Sequence, residues 1–563
     1  MIISTFFNCL FLVLNIYFLL GIYDSGTYIR KKLSRKIMTP PSDIDLTTKI
    51  LYGLISITLF LKLYLLLNPF SRIFAIIVFF IFTLVGMHRL SNIKVAKFKL
   101  ISLSILVLIL LTINSSFPNS NFDSATYQFP LVSWFDRFQI LNGMANFNSF
   151  FSLINISPIL ASYYSAFDLP IYSHVILNST LIMCLIIDCF SSNKQARLFD
   201  FIYIFRFSII IVSLLFINFS PSYWYVSMSS DLPVLILLMW FTVVFFSNRS
   251  FLNKSLNEKA ILILIFVTEF RYNLSLFIFS YWILLYFNGS RFRLPLLKLF
   301  IFNSLVWFYI KYTITGFPFA PFTFFEFNRP WNVDSKSLEA ISESIKWTMR
   351  LTYSKGDIEN HSWIISYFMF FFRDKVVLLS IFILLTVFFL HLFHKTMFGF
   401  SFKLFRSIDN VNYFFIIYVT NVFFWFLFSP DLRYGWFYLI IFPIFLFSSI
   451  LSKLLVASNL VKSFKNISLS LFAFTVTFMI LIILIQFTRL VKFRESNDFN
   501  ANISQTIIPY PSFTKIDFNN LEINVSDKDY CFRIPAPCLD LMAIQNINKL
   551  SFYYASLNLR NKI

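Results

Sequence analysis

The sequence predicts an all-α polytopic integral membrane protein with about 14 transmembrane helices, followed by a small C-terminal segment outside them. Two observations carry that expectation. Of 563 residues, 58% are hydrophobic and only 13% are charged, about half the ~25% usual in a soluble domain. The apolar residues also stand in long unbroken blocks rather than in the stripes of a soluble amphipathic helix. The same composition excludes a disordered chain. Five Cys are too few for a secreted disulfide scaffold.

A helix needs ~20 apolar residues to cross the hydrocarbon core. The candidate spans are 3–22, 49–67, 70–87, 99–114, 171–190, 198–218, 231–247, 260–270, 272–288, 294–313, 376–395, 411–428, 434–452 and 467–488. The first reads as a retained anchor, because no small-residue cleavage site follows it before RKKLSRK. Blocks 260–270 and 272–288 are short, with Glu269 and Arg271 between them. They read as a half-depth hairpin whose turn must be covered by protein. Segment 363–372 (WIISYFMFFF) is too short to span and is expected at the interface.

Charge sets the sidedness. The formal net charge is +20. RKKLSRK at 30–36, Arg89 with Lys94 and Lys97, Lys194 with Arg197, Arg249 with Lys254 and Lys259, and Arg291 with Arg293 lie in alternate loops. So do Lys403 with Arg406 and Lys462 with Lys465. The positive-inside rule makes those loops cytoplasmic. The basic excess is then an orientation signal and calls for no nucleic-acid partner. Residues 1–490 form the transmembrane domain, with outer-face loops 115–170 and 314–375, and 491–563 form an outer-face segment. Cys531 and Cys538 bracket two prolines in that segment. A disulfide between them would contribute roughly 2.5 kcal/mol by loop entropy; two unpaired thiols are the alternative.

The informative charges are the few on the outer face. Asp123, in FDSATY, suits a general base or an oxygen ligand to a divalent cation such as Mg or Mn. It also suits a solvated loop position or a helix N-cap. Arg137 could take a phosphate or pair with Asp136. Glu269 and Arg271 are ionisable at membrane depth, which marks a site unless they simply pair with each other. Asp231 stands at the outer end of its span. Asp431 and Arg433, in SPDLRY, offer an anion clamp or a local pair at a helix junction. Arg329 and Trp331 stand in the run FTFFEFNRPWNVD, whose Arg and aromatic groups suit phosphates and sugar rings and also any membrane interface. His391 and His394 lack a further ligand candidate and read as interfacial. There is no Walker A sequence, so nucleotide energisation is unsupported. Gly is scarce at 10 residues, so tight GxxxG helix seams and Gly-lined gates are not evident.

Asp123, Tyr127, Trp134, Gly143, Asn146 and Asn155 form one motif. Gly316, Pro318, Pro321 and Trp331 form a second, Pro430, Asp431 and Arg433 a third, and Cys531 with Pro537 and Cys538 a fourth. In this order they resemble a family of bacterial polytopic membrane proteins found with surface-polysaccharide functions, whose members look like GT-C-type glycosyltransferases. That family often has His where this chain has Gln128, and Arg where it has Phe150. The resemblance implies a polyprenyl-phosphate-sugar-dependent glycosyltransferase in the bacterial inner membrane, acting at its outer face. Its partners would be a lipid-linked sugar donor, a glycan or glycolipid acceptor and the membrane lipids. Asp123 takes the acidic catalytic role, with Glu269 as a second candidate. Tyr127, Trp134, Arg137, Asn146, Arg271, Arg329, Trp331, Asp431 and Arg433 are the candidate substrate and phosphate contacts. A polysaccharide polymerase or ligase is an alternative. A flippase is another, although it would want its ionisable residues near the midplane.

Overall fold

A computed structural model describes residues 2–33, 45–90, 107–114, 123–167, 175–191, 201–219, 225–248, 253–288, 294–323, 325–327, 329–349, 363–398, 411–428, 431–457, 477, 480–489, 491, 513–518, 521–526 and 538–539. Lipid offers the backbone no hydrogen-bond partner, so the apolar blocks close their own as helices. In order these are α1 (Ile2–Leu33), α2 (Leu46–Leu65), α3 (Arg72–Leu90), α4 (107–114), a π turn (Ser124–Gln128), α5 (Phe129–Phe135), α6 (Ile156–Ser165) and α7 (Val175–Ser191). Then come α8 (Phe201–Phe219), α9 (Asp231–Ser247), α10 (Lys254–Phe270), α11 (Ser275–Phe287), α12 (Leu294–Thr315) and α13 (Ser335–Met349). The last are α14 (Trp363–Phe371), α15 (Lys375–Phe398), α16 (Val411–Phe428), α17 (Leu432–Ala457) and α18 (480–489).

The protein is a helical membrane protein. Five of the described helices, α1, α2, α12, α15 and α17, are long and apolar enough to cross a membrane. Shorter apolar helices cover most of the other predicted spans, whereas 99–114 and 467–488 lie partly outside the described residues. The tail departs from all-α structure. There β1 (Phe513–Phe518) pairs antiparallel with β2 (Leu521–Ser526), and β2 pairs parallel with β3 (Cys538–Leu539). Cys531, the other half of the expected Cys531–Cys538 disulfide, lies outside the described residues.

The 260–288 hairpin is present, and its first arm is longer than the predicted block. The Tyr281 hydroxyl donates to Asn257 Oδ1 at 2.9 Å, so α11 runs back beside α10. At 17 residues, α10 is about 25 Å long at ~1.5 Å per residue. It starts at Lys254 rather than at 260 because Lys259 is neutralised inside the protein. Lys259 Nζ lies 2.5 Å from Asp45 and 2.7 Å from Asp188. The Trp240 indole N–H donates to the other oxygen of Asp188 at 2.8 Å. Lys259 is therefore a core ion-pair residue, not a loop charge.

The 115–170 region is likewise not a simple surface loop. Its α6 is buried from Ile156 to Tyr164, with Tyr163 and Tyr164 packed under α1 and α3. The Tyr164 hydroxyl donates to Asn15 Oδ1 at 2.7 Å, and Asn15 donates to Thr180 at 3.0 Å. This satisfies the amide of Asn15 deep within α1. The end of the bundle carrying 123–167 and 316–349 is the loop end.

Single glycines, rather than a repeated motif, let helices touch. A Cβ on Gly21 would lie 1.7 Å from the Phe82 carbonyl oxygen, and one on Gly86 2.0 Å from that of Tyr17. So α1 and α3 cross backbone to backbone at single glycines, with no GxxxG repeat. Gly86→Ala must push them apart, an overpacking cost of about 1–3 kcal/mol. Thermal unfolding in detergent should show a lowered midpoint; an unchanged midpoint would mean the helices do not meet at this crossing.

Candidate functional site

The π turn places Asp123 at the loop end. Its backbone is helical and its carboxylate caps nothing, so the N-cap alternative is not realised. The carboxylate lies 4.0 Å from the Arg433 guanidinium, with 43% of its side-chain surface accessible. Burial by the surrounding atoms raises its carboxyl pKa, Arg433 opposes the rise and Asp431 adds to it. Tyr127, one turn on, stacks on Phe150 at 6.3 Å. Burial and the charge of Asp123 push its phenol pKa up, so it stays a proton donor. Gln128 accepts from Ser124 at 2.9 Å, and Ser124 lies 3.3 Å from Ser227 on the approach to α9. Gln128, bonded to Ser124, and Phe150, stacked on Tyr127, thus hold the turn that carries Asp123.

Two arginines approach this turn from different helices. Arg433 forks onto Asp431, with Nε 3.1 Å from both oxygens and Nη2 2.7 Å from Oδ2. Asp431 also caps α17, accepting from the Arg433 amide at 2.8 Å. The local pair and the charged cluster are therefore one arrangement. Arg271 leaves α10 with extended backbone (φ −145°, ψ 101°), which turns its side chain away from the face bearing Glu269. It pairs with Asp231, donates to the Ser230 hydroxyl at 3.0 Å and lies 3.6 Å from the Tyr434 ring centroid. Such stacking suits a planar guanidinium. Tyr434 lies between the two arginines, its ring centroid 5.9 Å from the Arg433 guanidinium carbon.

Beside Arg271 is a cavity of about 270 Å³. Asn273, Tyr434 and Asn421 line it together with Leu276, Phe424 and Trp425. The Trp425 indole donates to the Asp431 carbonyl at 3.0 Å. Gly435 makes room for that ring, since a Cβ there would lie 2.2 Å from it. The volume is just under the ~300–1,000 Å³ of most small-molecule pockets. It fits a charged headgroup better than a whole lipid.

Several predicted contacts are directed elsewhere. Glu269 does not join the cluster and does not pair with Arg271. It forms a buried pair with Lys62 at 2.8 Å, and Lys62 also reaches Asn303 at 2.5 Å. Trp134 is buried against Phe147 and Phe138, its N–H donating to the Gln139 carbonyl. Asn146 donates to the carbonyls of Gly143 and Trp331 and so ties two loops together. These side chains build the loop end rather than face a ligand. Arg329 is exposed and donates to the Tyr312 hydroxyl at 3.2 Å. Arg137 is exposed in the turn after α5. Asp431 commits both oxygens to Arg433, and among the described residues no three His, Cys, Asp or Glu side chains form a cation cage.

Tyr434, Ser227 and Ser230 join the site without having been singled out. Lys62 and Asp188 could have been found as ionisable residues inside apolar blocks, a costly placement that needs a partner.

No curated protein and no solved structure matches the chain. Residues 9–440 match a family described as a domain of unknown function (DUF8201), a stretch that contains Asp123, Asp231, Arg271, Asp431, Arg433 and Tyr434. The chain belongs to the DUF8201 family.

Proposed function

We propose that this protein is a GT-C-type membrane glycosyltransferase that moves a sugar from a lipid-phosphate donor to a glycan or glycolipid acceptor at the outer face of the bacterial inner membrane. The observation that carries this reading is the chain of groups that runs from Asp123 to Arg433 and across Tyr434 to Arg271, where Arg271 and Tyr434 line a cavity of polar and apolar groups. Arg271 would hold the donor phosphate at the cavity. Asp123 would accept the proton of the acceptor hydroxyl as its oxygen attacks the anomeric carbon. The bond from that carbon to the phosphate oxygen breaks, and its electron pair stays on the phosphate, where the guanidinium stabilises it.

The direct test incubates the purified, reconstituted protein with polyprenyl-phosphate sugars and candidate acceptors. Single-sugar products and released lipid phosphate are expected. Transfer of whole chains, or movement of donor across the bilayer with no covalent change, would overturn the reading.

The sign of the pH dependence follows from Asp123. A base must be ionised, so turnover falls as pH drops through its raised pKa. Arg433→Gln removes the cation that opposes the rise. The acid limb of kcat/KM should move to higher pH; a limb that stays put would separate Arg433 from the base.

A further inference from the structure

We propose that the 317–329 loop is an interfacial anchor that seats Phe322, Phe325 and Phe327 among the lipids of the leaflet at the loop end. This holds whichever reaction the site performs. The three rings are 52%, 68% and 53% exposed. Exposed aromatics in a cluster mark an interaction surface. Phe325 also has a left-handed backbone (φ 64°). That conformation is uncommon for a bulky residue and costs stability. A polar residue or Gly would sit there more comfortably, so the ring is kept against the local preference.

The occupant follows from what the patch continues. One face of α12 leaves Ile301, Phe302, Leu305 and Tyr309 exposed, at helical spacing. The opposite face buries Asn303, Trp307 and Lys311. The exposed face of so apolar a span is its lipid face. The loop begins where α12 ends and extends that face. Phe327 packs on Tyr312 of the last turn at 5.3 Å. Phe325 rests on Phe319 at 5.7 Å, and Phe319 on Phe308 of α12 at 4.8 Å. Interleaved with the rings, Arg329 bonds Tyr312, and Glu326 accepts from Asn332 at 3.2 Å. Aromatic rings with charged and hydroxyl groups beside them are the composition of a headgroup-level belt.

The test places benzoylphenylalanine at Phe325 and, separately, at Phe327. Leu305 serves as the bilayer reference and Ser344, exposed on α13, as the aqueous one. Each variant is reconstituted in phosphatidylethanolamine–phosphatidylglycerol vesicles with a soluble oligosaccharide outside, illuminated, and read by mass spectrometry. Lipid adducts at 325 and 327 are expected at a yield close to that of Leu305 and several-fold above that of Ser344. A yield at both sites no higher than that of Ser344 would overturn the proposal. So would adducts with the saccharide in place of lipid, or a Leu305 position that takes up no lipid.

Discussion

Asp123→Asn is expected to abolish glycan product while the protein still inserts and accumulates. The substitution keeps the side chain's shape and removes only its capacity to take a proton. The π turn gains no side-chain cap from Asp123, so the turn loses none. Arg433 keeps its fork onto Asp431. Loss of a positioned general base lowers rate by about 10²–10⁴-fold. The measurement is single-sugar transfer by purified variant and wild type at matched protein and pH. Asp123→Glu should retain part of the rate, since it keeps the base and shifts it by one methylene. Product at the wild-type rate from the Asn variant would remove Asp123 from the chemistry.

Lys62→Met alone should destabilise the protein by about 3–5 kcal/mol, because it strands a buried carboxylate. The side chains of Lys62 and Glu269 are 0% and 3% exposed, so water cannot compensate. Replacing both with apolar residues, Lys62→Met with Glu269→Leu, should recover most of the loss, as apolar substitution of a whole buried pair is often neutral. Thermal unfolding in detergent reads both effects. The double variant should also keep transfer activity, because Glu269 faces α2 and α12 rather than the Asp123 cluster. Equal melting of single and double variants would contradict the pair. Loss of transfer in a stable double variant would restore a catalytic role to Glu269.

Much of the scaffold was legible in the sequence because lipid imposes a simple rule. Apolar runs must become helices, and the predicted block 231–247 coincides with α9. The doubling back at Arg271 was legible from two short blocks and a charged joint. Buried charge set the bounds that composition could not. Lys259 looks like a loop residue until Asp45 and Asp188 stand beside it. The burial of α6 was hidden because a polar flank on a moderately apolar segment reads as surface. The site was half legible. Asp123, Arg271, Asp431 and Arg433 stood out as rare charges at helix ends. Trp134, Asn146 and Glu269 stood out equally, yet they serve packing, loop tethering and a buried ion pair.

The sequence by itself determined the helical class of the molecule, the positions of its longer apolar helices and the short list of charges able to act. Those follow from composition and local periodicity, which need no partner to be read. Only the tertiary structure decided which charges meet. Arg271 and Glu269 are two residues apart, yet the break at the end of α10 sends one to Asp231 and Tyr434 and the other to Lys62. Asp123 and Arg433 are 310 positions apart in number and 4.0 Å apart in space. Pairing of that kind is set by how helices pack, and no local pattern in the chain encodes it.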